Sequence, residues 1–292
     1  MSTNHLIFVY GTLMEHEPNH HLLKDAKCVA RHGWTSGALY DTRKGYPVLS
    51  LDSSQRVYGE VYEISEEDLQ EIDKLEGFQD KKKDNGFTRT VQTIQSDFGI
   101  FQANVYVNES FQLESLKRVA FGDWKAHRYL DRDSFLYFAY GSCMDTERFS
   151  SSGVDQLFKQ VAGCGIAENF SLAYTRAAED GGRADIVEST GTVEGKVYQL
   201  NKQALEYLFV REGVAGNHYR PAFVDVIIDG VLHKHVLTFL VIDKSQEIAP
   251  PIHYATEILR GASGFVSDHY YSQLEHDLLN KFQLSIPINS FK

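Results

Sequence analysis

Leu6-Ile7-Phe8-Val9-Tyr10-Gly11-Thr12, near the start of the chain, has a counterpart in Leu136-Tyr137-Phe138-Ala139-Tyr140-Gly141-Ser142. Each is an apolar run of strand length that ends in Tyr-Gly and a hydroxyl residue, the pattern of a buried strand leaving the core through a turn. Outward from this pair the agreement continues in order. Val57-Tyr58-Gly59-Glu60-Val61-Tyr62 is echoed by Val193-Glu194-Gly195-Lys196-Val197-Tyr198, and both read as strands. A short helix is predicted after each, with Ser65 or Asn201 as N-cap and Gly77 or Gly213 as the stop. Leu69, Ile72 and Leu75, or Leu205 and Leu208, supply its apolar stripe. The residue before each stopping glycine is a glutamate, Glu76 and Glu212. Their offset equals that between Gly59 and Gly195, so strand and helix move as one block. Phe87-Thr88-Arg89-Thr90-Val91 and Tyr219-Arg220-Pro221-Ala222-Phe223 then each open a hairpin that continues through residues 101–107 and 232–241.

Four features in the same order in both halves indicate a duplication. A chain of 292 residues also suits two domains of ordinary size. The seam is expected between Phe111 and Phe135, giving domains over 1–131 and 132–292. The charged stretch 114–132 reads as a joining helix with Leu116, Val119 and Trp124 on one face. Periodicity alone gives an α+β class, because strands occur both as hairpins and separated by helices.

Composition excludes several classes. A net charge of −11 opposes sequence-independent nucleic-acid binding, which needs dense Lys and Arg, and Lys81-Lys82-Lys83 is too short a run to reverse it. No apolar run approaches membrane-spanning length, and the polar Ser2-Thr3-Asn4-His5 start lacks the pattern of an export signal. The three cysteines, Cys28, Cys143 and Cys164, have no Cys-x-x-Cys spacing, so neither a disulfide framework nor a thiolate metal site is indicated. A soluble protein of the reducing cytoplasm is expected.

The ordered set resembles the gamma-glutamylcyclotransferase superfamily over nearly the whole chain, once per half. Phe8 through Met14, Pro18-Asn19-His20, Gly45-Tyr46-Pro47, Gly59-Glu60-Val61-Tyr62, Asp73-Lys74-Leu75-Glu76-Gly77 and Gly122-Asp123-Trp124 are similar to the gamma-glutamylamine cyclotransferase branch. Tyr137 through Ser142, Gly195 with Val197-Tyr198, Arg211-Glu212-Gly213, Tyr219-Arg220, Pro250-Pro251, Tyr254 and Gly261-Ala262 are similar to the branch acting on free gamma-glutamyl amino acids and peptides. The resemblance implies two small mixed β-barrels with flanking helices, each with a cavity at one end. It implies Glu76 and Glu212 as catalytic acid/base, and substrate contacts from Tyr10, Gly11, Thr12 and Leu13, from Tyr137, Phe138, Ala139, Tyr140, Gly141 and Ser142, and from Tyr254. The implied partner is a small gamma-glutamyl substrate, with no metal or organic cofactor. Two departures stand out: Cys143 replaces the asparagine usual after Tyr-Gly-Ser, and Phe87 replaces a common tyrosine.

The residues suit the chemistry. Cyclisation to 5-oxoproline needs a proton moved from the substrate's alpha-ammonium to the departing amine, which a carboxylate of raised pKa can shuttle. Both glutamates also end a helix, where the dipole disfavours negative charge. A Tyr-Gly-Thr or Tyr-Gly-Ser turn offers backbone N–H groups to a carboxylate or a developing oxyanion. Arg176 and Arg183, flanking Glu179-Asp180-Gly181-Gly182, either reach the substrate carboxylate or belong to a solvated turn. His20-His21 and His233-x-His235 lack a third ligand and read as surface pairs. Two alternatives stay open: a non-catalytic binding module for gamma-glutamyl-like ligands, and a deblocking cyclase for a gamma-glutamylated metabolite.

Overall fold

The computed structural model describes residues 4–51, 55–78, 87–108 and 113–286. Lys81 to Lys83, Ser2, Thr3 and Phe111 lie outside the described residues. The chain divides into two compact units, Met1–Leu130 and Asp131–Lys292.

The first unit is built on strands β1 (His5–Val9), β2 (Lys27–Ser36), β3 (Ala38–Asp41), β4 (Pro47–Ser50), β5 (Arg56–Ile64), β6 (Thr88–Ser96), β7 (Gly99–Val107) and β8 (Lys117–Arg118), with helices α1 (Glu66–Glu76) and α2 (Trp124–Tyr129). β1, β5, β2, β6 and β7 close into a barrel in that order, and β4, β3 and β8 form a small separate sheet. Barrel closure buries Ile7, Phe8, Val61, Ile94 and Val105 as a continuous core.

The second unit contains β9 (Ser134–Ala139), α3 (Thr146–Ser151), β10 (Val161–Ala178), β11 (Gly181–Asn201), α4 (Lys202–Arg211), β12 (Tyr219–Ile228), β13 (Val231–Val241), α5 (Ile252–Ala262) and α6 (Asp268–Phe282). Its barrel runs β9, β11, β10, β12, β13, the same cyclic order as the first. One parallel contact per barrel joins the first strand to the last, at Ile7 opposite Asn104 and Tyr137 opposite Leu237, which makes each barrel mixed. The duplication read from the sequence is thus a duplication of topology.

The glycine shared by the two strand motifs has a steric cause. A Cβ on Gly59 would lie 2.2 Å from the Val9 carbonyl oxygen, and one on Gly195 would lie 2.3 Å from that of Ala139. Only glycine lets β5 approach β1, and β11 approach β9, so closely. The helices begin as predicted: the Ser65 side chain accepts from the Asp68 N–H, and the Asn201 side chain from the Ala204 N–H.

The expected joining helix over 114–132 is not formed. Lys117–Arg118 is captured as a strand beside β3, and the Val119 N–H donates to the Leu39 carbonyl at 2.8 Å. Phe121 and Gly122 then take φ of 60° and 61°, which no α-helix accommodates, so helix survives only over Trp124–Tyr129. Among the described residues no helix is long and apolar enough to cross a membrane.

Candidate functional site

Each barrel carries a cavity at the end where its first strand runs out. In the first unit, Tyr10 ends the buried run of β1, and the chain turns through Gly11, Thr12 and Leu13, closed by Met14 N–H to Gly11 O at 3.1 Å. The second unit repeats the turn after β9, with Met144 N–H to Gly141 O at 3.0 Å. Both tyrosines point back into the barrel end. Tyr10 donates to the Tyr106 carbonyl and Tyr140 to that of Phe239, each at 2.5 Å, fixing the turn to the last barrel strand.

The loop after each turn is tied down from one equivalent strand position, with opposite charge. In the first unit the buried Glu60 carboxylate accepts from the Glu15 N–H at 2.7 Å, from the Tyr62 hydroxyl and from Lys125 Nζ. In the second, Lys196 stands at that position and donates to the Met144 carbonyl at 2.7 Å.

The glutamates arrive on the helices. α1 ends at Glu76 because Gly77 takes φ 68°, and α4 ends at Arg211 with Glu212 as its C-cap and Gly213 at φ 61°. α1 is held by Asp73, whose buried carboxylate receives Arg89 at 2.8 and 2.9 Å and the Tyr106 hydroxyl at 2.6 Å. Leu75, read as part of the apolar stripe, is instead 45% exposed and faces the cavity.

The first cavity, of about 480 Å³, is lined by Tyr10, Gly11, Thr12 and Leu13 on one side and by Leu75, Glu76 and Tyr106 on the other. Pro18, Asn19, Tyr46 and Pro47 complete its wall. The second cavity, of about 120 Å³, is lined by Tyr137, Tyr140, Gly141, Ser142, Cys143, Glu212, Tyr219 and Tyr254, with Arg148, Arg176, Arg183 and Arg211. Tyr254 closes it from α5, its hydroxyl accepting from the Ala184 N–H at 3.2 Å. Phe138 and Ala139 do not line it. They pair with Val197 and Lys196 in the barrel wall, and both are buried. Both lie inside β9, whose last residue is Ala139, whereas Tyr140 is the first residue beyond the strand and belongs to the turn.

Electrostatics separates the carboxylates. Burial raises Glu76 to about 7, and among the described residues no cation pairs with it. Burial also pushes Glu60 upward, but Lys125, the Glu15 amide and the Tyr62 hydroxyl together bring it below the usual carboxylate range. Glu76 is therefore poised to exchange a proton near neutrality, whereas Glu60 is a fixed anion. Glu212 is likewise raised by burial, with Arg211 and the Cys143 thiol, 3.5 Å from its Oε1, opposing.

His20 and His21 turn to the backbone carbonyls of Leu13 and Pro18 at 3.1 and 3.2 Å, which gives them a part in shaping the cavity loop. None of the three cysteines is in a disulfide. Sequence reasoning missed Arg148 and Arg211 in the second cavity. Arg211 carried a signal, its place beside Glu212, whereas Arg148 comes from α3, which has no counterpart in the first unit.

Residues 7–126 match the family model described as gamma-glutamyl cyclotransferase, AIG2-like, and residues 192–274 match that of the AIG2-like family. A Bacillus subtilis (strain 168) protein named as a candidate gamma-glutamylcyclotransferase, YkqA, is 40% identical over 278 residues, covering 94% of this chain and 98% of its own. The crystal structure of YkqA superposes with a TM-score of 0.86 at 38% identity over 98% of this chain and all of that one. The gamma-L-glutamyl-butirosin B gamma-glutamyl cyclotransferase of Niallia circulans is 39% identical over 123 residues, 42% of this chain and 76% of its own. The chain belongs to the gamma-glutamylcyclotransferase family and carries its fold twice.

Proposed function

We propose that each cavity cyclises the gamma-glutamyl group of a small amine, amino acid or peptide conjugate, releasing 5-oxoproline and the free amine. The observation that carries this is that both units bring a glutamate of raised pKa to the same cavity as a Tyr-Gly turn, from equivalent elements. The substrate's alpha-amine attacks its own gamma-carbonyl, forming the ring C–N bond. Glu76 or Glu212 takes the proton the ammonium sheds and delivers it to the departing nitrogen as the old C–N bond breaks. Amides of the turn hold the alpha-carboxylate or the developing oxyanion. The large first cavity supports turnover of conjugates with bulky leaving amines, a deblocking activity. The relative named for gamma-L-glutamyl-butirosin B adds support for that reading.

The test is 5-oxoproline release from a panel of gamma-glutamyl amines, amino acids and peptides by the full chain and by Glu76→Gln and Glu212→Gln, singly and together. Each single variant is expected to keep part of the panel and the double variant to lose all of it. Binding of the panel by calorimetry with no release from the unmodified chain would establish a binding module instead.

A further inference from the structure

The two cavities hold the same Tyr-Gly turn and the same glutamate, but they differ sharply in charge. Among the described residues the first is lined by one cation, Lys44, and by no arginine, whereas four arginines line the second against the single carboxylate of Glu212. Three of the four are engaged. Arg148 pairs with Glu257, Arg211 donates to Ser142 Oγ and Cys143 Sγ at 3.1 Å each, and Arg183 pairs with Asp180 at 2.6 Å. Arg176 differs. Its Nε is buried without a hydrogen-bond partner, and its guanidinium lies over the Tyr219 ring at 5.9 Å.

Arg176 is also placed at a cost. It is the direct cross-strand partner of Arg183 in the β10–β11 hairpin, just past an irregularity between Ala173 and Arg176 that shifts the register. Like charges directly opposite one another destabilise a sheet, and a bulge beside a cavity re-aims the side chains that follow it. A carboxylate between the two guanidiniums would relieve the repulsion and satisfy the orphaned donor.

The identity of that carboxylate follows from comparing the units. If both sites process a gamma-glutamyl group, the first binds its alpha-carboxylate without any arginine, so the arginines of the second answer to something the glutamyl group does not supply. What remains is the leaving group. Resting on the cyclotransferase reading, we propose that Arg176, with Arg183 opposite it, holds the carboxylate of the departing amino acid, so that the second site selects gamma-glutamyl amino acids over conjugates with uncharged leaving amines.

The experiment uses the full chain carrying Glu76→Gln, which silences the first site, with gamma-glutamyl-alanine and gamma-glutamyl-alaninamide as probes. A charge-assisted carboxylate contact gives an expected kcat/KM preference of about ten- to hundredfold for the alanine conjugate. Arg176→Met should collapse that ratio, chiefly through KM of the alanine conjugate, and Arg176→Lys should restore part of it. Equal kcat/KM for the two probes would overturn the proposal. So would Arg176→Met lowering both in the same proportion, since the guanidinium would then serve the glutamyl carboxylate or the scaffold. If neither probe yields 5-oxoproline, the cyclotransferase reading fails by itself. Calorimetric titration of the Glu76→Gln/Glu212→Gln chain with the two probes then decides the inference separately: tighter binding of the alanine conjugate that Arg176→Met abolishes upholds it, and equal binding overturns it.

Discussion

Replacing Glu76 with glutamine should remove turnover at the first site and stabilise the protein at the same time, with a gain that depends on pH. The carboxyl titrates at about 7 in the folded chain, against 4.5 for an ordinary glutamate, because burial penalises its charged form. Below pH 4.5 it is protonated whether folded or unfolded, and the substitution should be nearly neutral there. Between 4.5 and 7 the folded state holds a proton that the unfolded state has lost, so stability falls as pH rises, and above 7 the full penalty of a buried charge is present. A difference of this size is worth on the order of 3 kcal/mol, which the half-buried position reduces to roughly 1–3 kcal/mol. Glutamine carries no charge and escapes the penalty, so Glu76→Gln should melt higher at pH 8 by roughly 3–10 °C and match the parent at pH 4. In a Glu212→Gln background, 5-oxoproline release should fall by about 10²–10⁴-fold. In that background the kcat/KM of the intact first site should rise with pH through about 7, as the carboxylate ionises to accept the ammonium proton. Scanning calorimetry at the two pH values and the release assay check both halves. A melting difference that does not change with pH would refute the buried-carboxylate account, and full turnover by the variant would remove Glu76 from the proton path.

Two further outcomes are expected. Gly195→Ala forces a Cβ to within 2.3 Å of the Ala139 carbonyl oxygen and should cost the second unit about 1–3 kcal/mol or more, read as a lowered melting transition with 5-oxoproline release from the first site retained. Residues 1–131 and 132–292 expressed separately should each give cooperative thermal unfolding and dispersed amide spectra; if both are unfolded alone, the two-domain reading is wrong.

Much of the barrel was legible because its signals are local. Buried strands end in Tyr-Gly, Ser65 and Asn201 cap their helices from the adjacent residue, and Gly77 and Gly213 take the left-handed conformation that stops them. The failures share a different physics. Residues 114–132 carry a helical stripe, yet Val119 finds a partner in the Leu39 carbonyl eighty positions earlier, and a ladder bond of that range leaves no trace in periodicity. Phe138 and Ala139 sit inside a motif that reads as a binding loop, but β9 extends through Ala139 and pairs both with β11, and where a strand gives way to its turn is set by that pairing rather than by the motif. Of the second cavity's arginines, Arg176 and Arg183 were legible as candidates from the loop they flank, whereas Arg148 on α3 and Arg211 on α4 reach the same volume through tertiary contacts that no local pattern records.

The position after the shared glycine shows what duplication preserved. Glu60 and Lys196 occupy equivalent places in the strands, both are buried, and both anchor the loop behind the Tyr-Gly turn. One does so by accepting from a backbone N–H, the other by donating to a backbone carbonyl. A reversal of charge at a buried anchor is tolerated only if hydrogen-bond polarity reverses with it, because an unsatisfied buried ion would cost several kcal/mol. Lys125 answers Glu60 in the first unit, and in the second the Lys196 ammonium lies 4.6 Å over the Phe265 ring, with burial lowering its pKa. The turn was thus kept while the charge of the side chain anchoring it was reversed, and the cavities differ as well, with four arginines lining the second where the first has Lys44. On the function proposed above, two sites with one scaffold and unlike electrostatic surroundings would suit different conjugates of a common gamma-glutamyl group, the scaffold recognising what the substrates share and the field sorting what they do not.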